Sequence, residues 1–446
     1  MNPTLRSAWE DTVRAAPGAT ALVEPATAAV VTRAALDAAA DAWRQAHGTG
    51  LADRTVVLAE PNGPEWFRVF IGLLKSGAVI VPIDPGEPAA AQEATAQRLG
   101  AVARWSGGAL VPVATRSRPA RDGRRLIKLT SGSTGVPRAL AFTDAQMLAD
   151  GRQVCAAMNI RTDDTNFGLI PFGHSYGLGN LVVPLLAQGT AIVCGTVALP
   201  HAIVETIARW RPTVFPAVPA LLRALVVSDV APGRLASLRT VISAGAPLAA
   251  EIAEAFHVKF DRKVHSFYGS SETGGITYDQ SGDAARTGRS VGQPLPGVRL
   301  EWGRGRRFTV ASEAVYTLGN RRRTAGGGSY QPADLATLNA AGELVLLGRS
   351  GRFVKIAGRR LNLAEVERAL RAVPGVRDAF VVPHSARVDA LAAAVATDLA
   401  ADALRTALQE RLAPWKIPKR IVTFATFPVT PRGKTDTRRL RGQLGE

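Results

Sequence analysis

Five consecutive positions, Ser131-Gly132-Ser133-Thr134-Gly135, hold three hydroxyl side chains and two glycines, and Val136, Pro137 and Arg138 follow. Glycine lets backbone N–H groups approach a bound anion closely, hydroxyls add donors, and the guanidinium of Arg138 adds a fixed positive charge. The chemistry this suggests is phosphate binding. The spacing is not that of a GxxxxGK[ST] loop, and its closing lysine is missing. Read alone, a Ser/Thr/Gly loop is more often a flexible turn, so the elements around it decide.

Those elements alternate. Arg125 to Leu129 reads as a strand entering the loop, and regular structure resumes over Ala139 to Phe142. Upstream, Thr55 to Ala59 reads as a buried strand. Asn62 is placed to cap a helix with Trp66, Phe67, Phe70, Ile71 and Leu74 at helical spacing, and Val79 to Pro82 reads as the next strand. Downstream, strands are expected at Asn166 to Ile170, Ala191 to Cys194, Pro212 to Phe215, Thr240 to Ile242 and Lys263 to Phe267. Helices are expected between them at Leu178 to Leu186, His201 to Trp210, Ala220 to Val227 and Ala249 to Phe256. Such alternation predicts an α/β chain with mostly parallel, helix-covered sheets and ligands at the carboxyl ends of the strands. Past about Gly292, short Gly/Arg/Pro-rich strands such as Arg307 to Val310 and Glu343 to Leu347 predict a small β-barrel-like or antiparallel part. Asn362 and Glu365 have capping-box spacing ahead of a helix. A strand at Ala379 to Val382, a helix at Leu404 to Leu412 and a strand at Arg420 to Phe424 complete a small α+β region. The expected division is a large domain over 1–349, with its β-rich part at about 292–349, and a small mobile C-terminal domain over 350–446.

Composition narrows the classes. The chain has 446 residues, 46% hydrophobic and 20% charged, as a folded globular protein does. Its opening residues carry no apolar signal-peptide core, and its apolar runs are far short of a membrane span, so no membrane association is expected. Two cysteines and six scattered histidines predict neither a disulfide framework nor a zinc site, and suit a reducing cytoplasm. The formal charge of +17 attracts anions, but no basic stretch is interleaved with stacking aromatics, so nucleic acid is not the expected partner.

Further stretches line up with the opening loop. They are Lys75 to Pro85, Pro171-Phe172-Gly173-His174-Ser175-Tyr176-Gly177-Leu178, Ser243-Ala244-Gly245-Ala246-Pro247, Tyr268-Gly269-Ser270-Ser271-Glu272-Thr273 and Gly292 to Gly297. Asp334-Leu335-Ala336, Gly348-Arg349, Val354 to Leu361 and Pro431-Arg432-Gly433-Lys434 complete the series. In this order and spacing, from roughly Leu51 to Lys434, the chain resembles the adenylate-forming superfamily of acyl- and aryl-CoA synthetases, adenylation domains and luciferases.

The resemblance implies an ATP- and Mg²⁺-dependent enzyme that activates a carboxylic acid as acyl-AMP and passes the acyl group to a thiol. In that light Ser131, Gly132, Ser133, Thr134, Gly135 and Arg138 hold the phosphates. Ala246, Pro247, Tyr268, Gly269, Ser270 and Ser271 surround the adenine, with Tyr268 stacking on it, and Asp334 and Arg349 hold the ribose. Glu272 is the magnesium carboxylate, with the Thr134 hydroxyl beside it. Lys434 delivers positive charge to the reacting carboxylate and α-phosphate. Gly358 lines the pantetheine path, and Gly351 stands at the hinge. His174, Tyr176, Val218, Ala244, Gly245 and Gly274 border the acyl pocket, and His174 is counted with Lys434, Glu272 and Thr134 among the expected catalytic residues.

Where amino-acid-activating members carry an Asp for the substrate ammonium, this chain has Gly173, and the small, apolar pocket set implies an uncharged aryl or medium acyl group. Arg138 stands where lysine is usual, Ser271 where threonine is, Gly351 where the hinge acid is, and Gln331-Pro332-Ala333 replaces the usual residues before Asp334. The expected partners are a small carboxylic acid and either coenzyme A or an acyl-carrier-protein pantetheine, with the chain as monomer or homodimer. Loading of a carrier protein is the alternative within enzymes. A catalytically idle nucleotide-binding homologue is the alternative outside them.

Overall fold

The computed structural model describes residues 3–115, 118–130, 138–195, 197, 199–317, 323–324, 327–349, 353–428 and 436–445. The chain divides into two compact units. The larger comprises Met1–Pro85, Ala96–Leu129 and Ala139–Ser350, and the smaller comprises Gly86–Thr95, Thr130–Arg138 and Gly351–Glu446.

Two sheets organise the larger unit. The nine-stranded sheet runs, edge to edge, Gln293–Pro294, Gly274–Tyr278, Val264–Ser270, Thr240–Ser243, Val214–Ala217, Thr165–Gly168, Ala191–Cys194, Thr20–Glu24 and Ala29–Thr32. From Val264–Ser270 to Thr20–Glu24 all neighbours are parallel, and the outer pairs are antiparallel. Continuous apolar runs such as Val214-Phe215 and Val241-Ile242 are buried because helices cover both faces of a parallel sheet. A six-stranded sheet runs Ala109–Pro112, Ala103–Ser106, Thr55–Ala59, Val79–Pro82, Leu126–Thr130 and Arg138–Phe142. The β-rich part consists of a four-stranded and a two-stranded antiparallel sheet, with no closed barrel among the described strands.

One expectation changes. Asn62 does not cap the helix Pro64–Lys75, whose N-cap is Gly63 with Pro64 pre-set at the first helical position. The Asn62 amide instead donates to the carbonyls of Gly168 and Ile170 at 3.1 and 2.9 Å, and its oxygen accepts from Phe172 N at 2.9 Å. From the helix, Trp66 and Phe67 pack on Phe172 at centroid distances of 5.6 and 5.0 Å. A polar clamp and an aromatic wedge thus fix the turn that carries Gly173 and His174.

In the smaller unit, Leu391–Thr397 lies between Val376–Pro383 and Arg420–Phe424 and is buried at every position. The hairpin Phe353–Ile356/Arg359–Asn362 turns through Ala357 and Gly358, both with positive φ (48° and 76°), the signature of a two-residue type I′ turn. Glu365 accepts from the Lys416 Nζ at 2.9 Å, and Glu87 is the lysine's second ionic partner. Burial works against the Lys416 charge, but Glu365 and Glu87 outweigh it and hold its pKa above the ordinary lysine value. The stabilisation is therefore complete below that ordinary value and drains away as pH rises through the raised one. Lys416→Met leaves two carboxylates facing each other without their cation. Chemical denaturation should register a loss of about 3–5 kcal/mol at neutral pH, and a smaller loss in strong alkali.

Candidate active site

The site residues of the larger unit gather at the carboxyl ends of neighbouring strands. Register pairs Ala217 with Ser243 and Ser243 with Ser266, so Val218, Ala244 and Phe267 follow at one level. Gly245, in the left-handed region at φ 90°, turns the chain toward Ala246 and Pro247. Tyr268, Gly269 and Ser270 finish the strand Val264–Ser270, and Gly274 opens the antiparallel strand that returns from it. Ser271 and Glu272 occupy the tight connection, braced by a 3.0 Å contact between the hydroxyls of Ser270 and Thr273.

Two long-range hydrogen bonds tie this end of the sheet to the β-rich part. Tyr268 Oη donates to Asp334 Oδ2 at 2.8 Å, and both residues are buried. Asp334 is in turn the register partner of Arg349. The proposed adenine residue and the two proposed ribose residues therefore share one locus. Tyr330 Oη donates to Glu272 Oε1 at 3.0 Å, and Tyr316 N donates to the Glu272 carbonyl at 3.1 Å. The Glu272 carboxylate is thus buried and fixed in direction. A single oriented carboxylate suits Mg²⁺, which commonly takes one or two carboxylates, waters and substrate phosphates rather than a protein cage.

Where the sequence predicts the acyl pocket, His174 precedes the short helix Ser175–Gly177, which runs into a π-helical turn at Leu178–Val182. Such turns recur at functional sites because the extra residue re-aims the side chains. The Tyr176 ring lies 5.9 Å from Phe267. Burial, chiefly, and the neighbouring Tyr278 push its phenol well above the ordinary range, so it stays neutral. A Cβ at Gly173 would stand 2.8 Å from Pro82 Cβ, so this position has no room for the carboxylate that an ammonium substrate needs.

Both cysteines are free and buried. Burial pushes Cys155 up to about 12 and Cys194 still higher, so neither supplies a thiolate at neutral pH. The expected phosphate loop Ser131, Gly132, Ser133, Thr134 and Gly135, the expected hinge position Gly351 and Lys434 lie outside the described residues, as does the side chain of Arg349. Arg138 is exposed at the start of the strand Arg138–Phe142. Sequence reasoning missed Tyr330, and also the buried ion pair of Lys128 and Asp150, whose Nζ and Oδ2 stand 4.0 Å apart. A lysine inside the apolar run Leu126-Ile127-Lys128-Leu129 was the available signal. No described helix is long and apolar enough to cross a membrane.

The family model for AMP-binding enzymes matches residues 101–301, and that for the AMP-binding enzyme C-terminal domain matches 365–434, together more than half of the chain. Benzoate–CoA ligase of Thauera aromatica is 29% identical over 341 residues, 70% of this chain, and the chain spans 64% of that protein's length. Feruloyl-CoA synthase of an Amycolatopsis species is 25% identical over 450 residues, 90% of this chain and 91% of the relative. The solved structure of the amide bond synthetase McbA from Marinactinospora thermotolerans superposes with a TM-score of 0.83 at 22% identity, covering 99% of both chains, which shows a shared fold. The chain belongs to the AMP-binding, adenylate-forming enzyme family.

Proposed function

We propose that the chain is an acid–thiol ligase that activates an uncharged aryl or medium-chain carboxylic acid with ATP. The observation that carries this reading is the paired Tyr268–Asp334 and Tyr330–Glu272 bonding, which sets a nucleoside locus beside a fixed carboxylate at the strand ends. A substrate carboxylate oxygen attacks the α-phosphorus of ATP, the bond to the β-phosphate oxygen breaks, and pyrophosphate leaves. A thiolate then attacks the acyl carbonyl, the C–O bond to AMP breaks, and the thioester and AMP are released.

Asp334 and Arg349 hold the ribose, Tyr268 packs on the adenine, and Ser131 to Gly135 with Arg138 take the phosphates. Glu272, with Thr134, would hold Mg²⁺, which when bound neutralises phosphate charge. Lys434 stabilises charge developing between carboxylate and α-phosphate, and the hairpin turn at Gly358 serves the thiol step. His174, Tyr176, Val218, Ala244, Gly245 and Gly274 shape the acyl pocket, and the crowding of Gly173 against Pro82 argues against α-amino acids. Benzoate and ferulate, named in the relatives, are the first acids to try.

The acceptor is coenzyme A or a carrier-protein pantetheine. From Gly351 onward 18 Lys/Arg face 9 Asp/Glu, which suits an acidic acceptor. The test is a panel of aryl, medium-chain and amino acids assayed for pyrophosphate release, then for thioester with coenzyme A and with a pantetheinylated carrier. Pyrophosphate with an aryl or medium-chain acid and thioester with one thiol is the expected result. Release only with amino acids overturns the substrate class, and an accumulating adenylate with neither thioester overturns the ligase.

A further inference from the structure

Two side-chain rungs cross between the strand end at 268–272 and the segment 330–334. Tyr268, four residues before Glu272, donates to Asp334, and Tyr330, four residues before Asp334, donates to Glu272. Each rung is a tyrosine hydroxyl on a carboxylate, and the two run in opposite directions. The expected ribose acid and the expected metal acid are thus each held by a neighbour of the other. Tyr330 and Asp334 are joined by Gln331-Pro332-Ala333, in which the Pro332 ring restricts φ and stiffens the spacing.

Tyr330 closes the strand Gly327–Tyr330, where it pairs with Val310. Its half-buried ring packs edge-on against Tyr316 at a centroid distance of 6.0 Å. Tyr316 N donates to the Glu272 carbonyl at 3.1 Å, and the Gln146 amide donates to the Val315 carbonyl at 2.9 Å, steadying that backbone. The main chain of Glu272 is therefore fixed independently of the Tyr330 hydroxyl, which acts on the carboxylate by engaging Oε1 at 3.0 Å. Carboxylates that ligate metals are themselves held by hydrogen bonds, and losing such a partner typically weakens metal binding by about 10–100-fold. Ca²⁺ accepts bidentate carboxylates in a flexible shell, whereas Mg²⁺ demands near-octahedral geometry. A carboxylate with one oxygen engaged and its direction fixed suits Mg²⁺ better than Ca²⁺.

We infer that Tyr330 is a positioning residue that sets both the metal affinity of Glu272 and its preference for Mg²⁺ over Ca²⁺. The inference rests on the adenylation reading, in which Glu272 is the metal acid.

The test titrates Mg²⁺, and separately Ca²⁺, into the full chain carrying α,β-methylene-ATP, whose α–β bridge cannot break, and follows metal binding by calorimetry. Wild type, Tyr330→Phe, Glu272→Gln and the double variant are compared. Phenylalanine keeps the ring against Tyr316 and removes only the hydroxyl. Tyr330→Phe should weaken Mg²⁺ binding by about tenfold or more and Ca²⁺ binding by much less, and should leave metal-free affinity for the nucleotide within about twofold of wild type. In the Glu272→Gln background, where the phosphates still bind Mg²⁺, the same substitution should change that binding by less than about twofold, because the hydroxyl acts through the carboxylate. No loss, equal losses for both metals, or the same Mg²⁺ loss with and without Glu272 overturns the inference and leaves the ligase reading intact. Wild type that binds no α,β-methylene-ATP in Mg²⁺ overturns both.

Discussion

Glu272→Gln should lower carboxylate-dependent pyrophosphate release by about 10²–10³-fold while leaving the fold intact. The side chain is 2% exposed and matched in shape by glutamine. Its Oε1 accepts the Tyr330 hydroxyl at 3.0 Å, which an amide oxygen also does. What the substitution removes is the negative charge, and with it a hard ligand for Mg²⁺ at the phosphates. Urea midpoint and pyrophosphate release should therefore separate, the first moving little and the second collapsing. A Glu272→Gln enzyme within threefold of wild type at saturating Mg²⁺ would show that the metal is held elsewhere.

The second large effect belongs to Lys434. Its proposed task is to meet charge that develops only as the carboxylate attacks the α-phosphorus, and an interaction confined to the transition state is expressed in kcat rather than in binding. Lys434→Ala should cut pyrophosphate release by about 10²–10³-fold and leave ATP affinity within a few-fold of wild type. If the enzyme is supplied with synthetic acyl-AMP, transfer to the thiol should survive. Equal losses in both half-reactions would instead mark Lys434 as a structural residue.

These two predictions come from different levels of legibility. The strands and helices between Thr55 and Pro82, and between Thr165 and Ser270, were readable because their buried faces are continuous apolar runs punctuated by Gly and Pro. The hairpin Thr20–Glu24/Ala29–Thr32 was missed, since Ala29–Thr32 is largely exposed and carries no burial pattern. The central strand Leu391–Thr397 was missed because alanine, poor in strands, fills four of its seven positions, and tertiary burial overrides propensity. Asn62 had the type and place of a helix cap, but three backbone groups more than a hundred residues away compete for its amide.

The same holds at the site. Motif order pointed to Tyr268, Glu272 and Asp334 individually, yet nothing local to the sequence places the Tyr268 hydroxyl on Asp334, 66 residues away, or Tyr330 on Glu272, 58 residues away. Lys128 and Asp150 are separated by a strand and half a helix, and neither belongs to a motif. Only the tertiary fold brings Lys128, on the strand Leu126–Thr130, within 4.0 Å of Asp150, on the helix Asp144–Met158.

The central claim is that this site joins ATP to a carboxylate. Its most direct measurement is exchange of labelled pyrophosphate into ATP without any thiol present, with and without benzoate, ferulate and a medium-chain acid. The account predicts exchange that requires both Mg²⁺ and one of these acids and vanishes in Glu272→Gln. Exchange that proceeds without an acid, or none with any carboxylate by a chain that binds ATP, would contradict it.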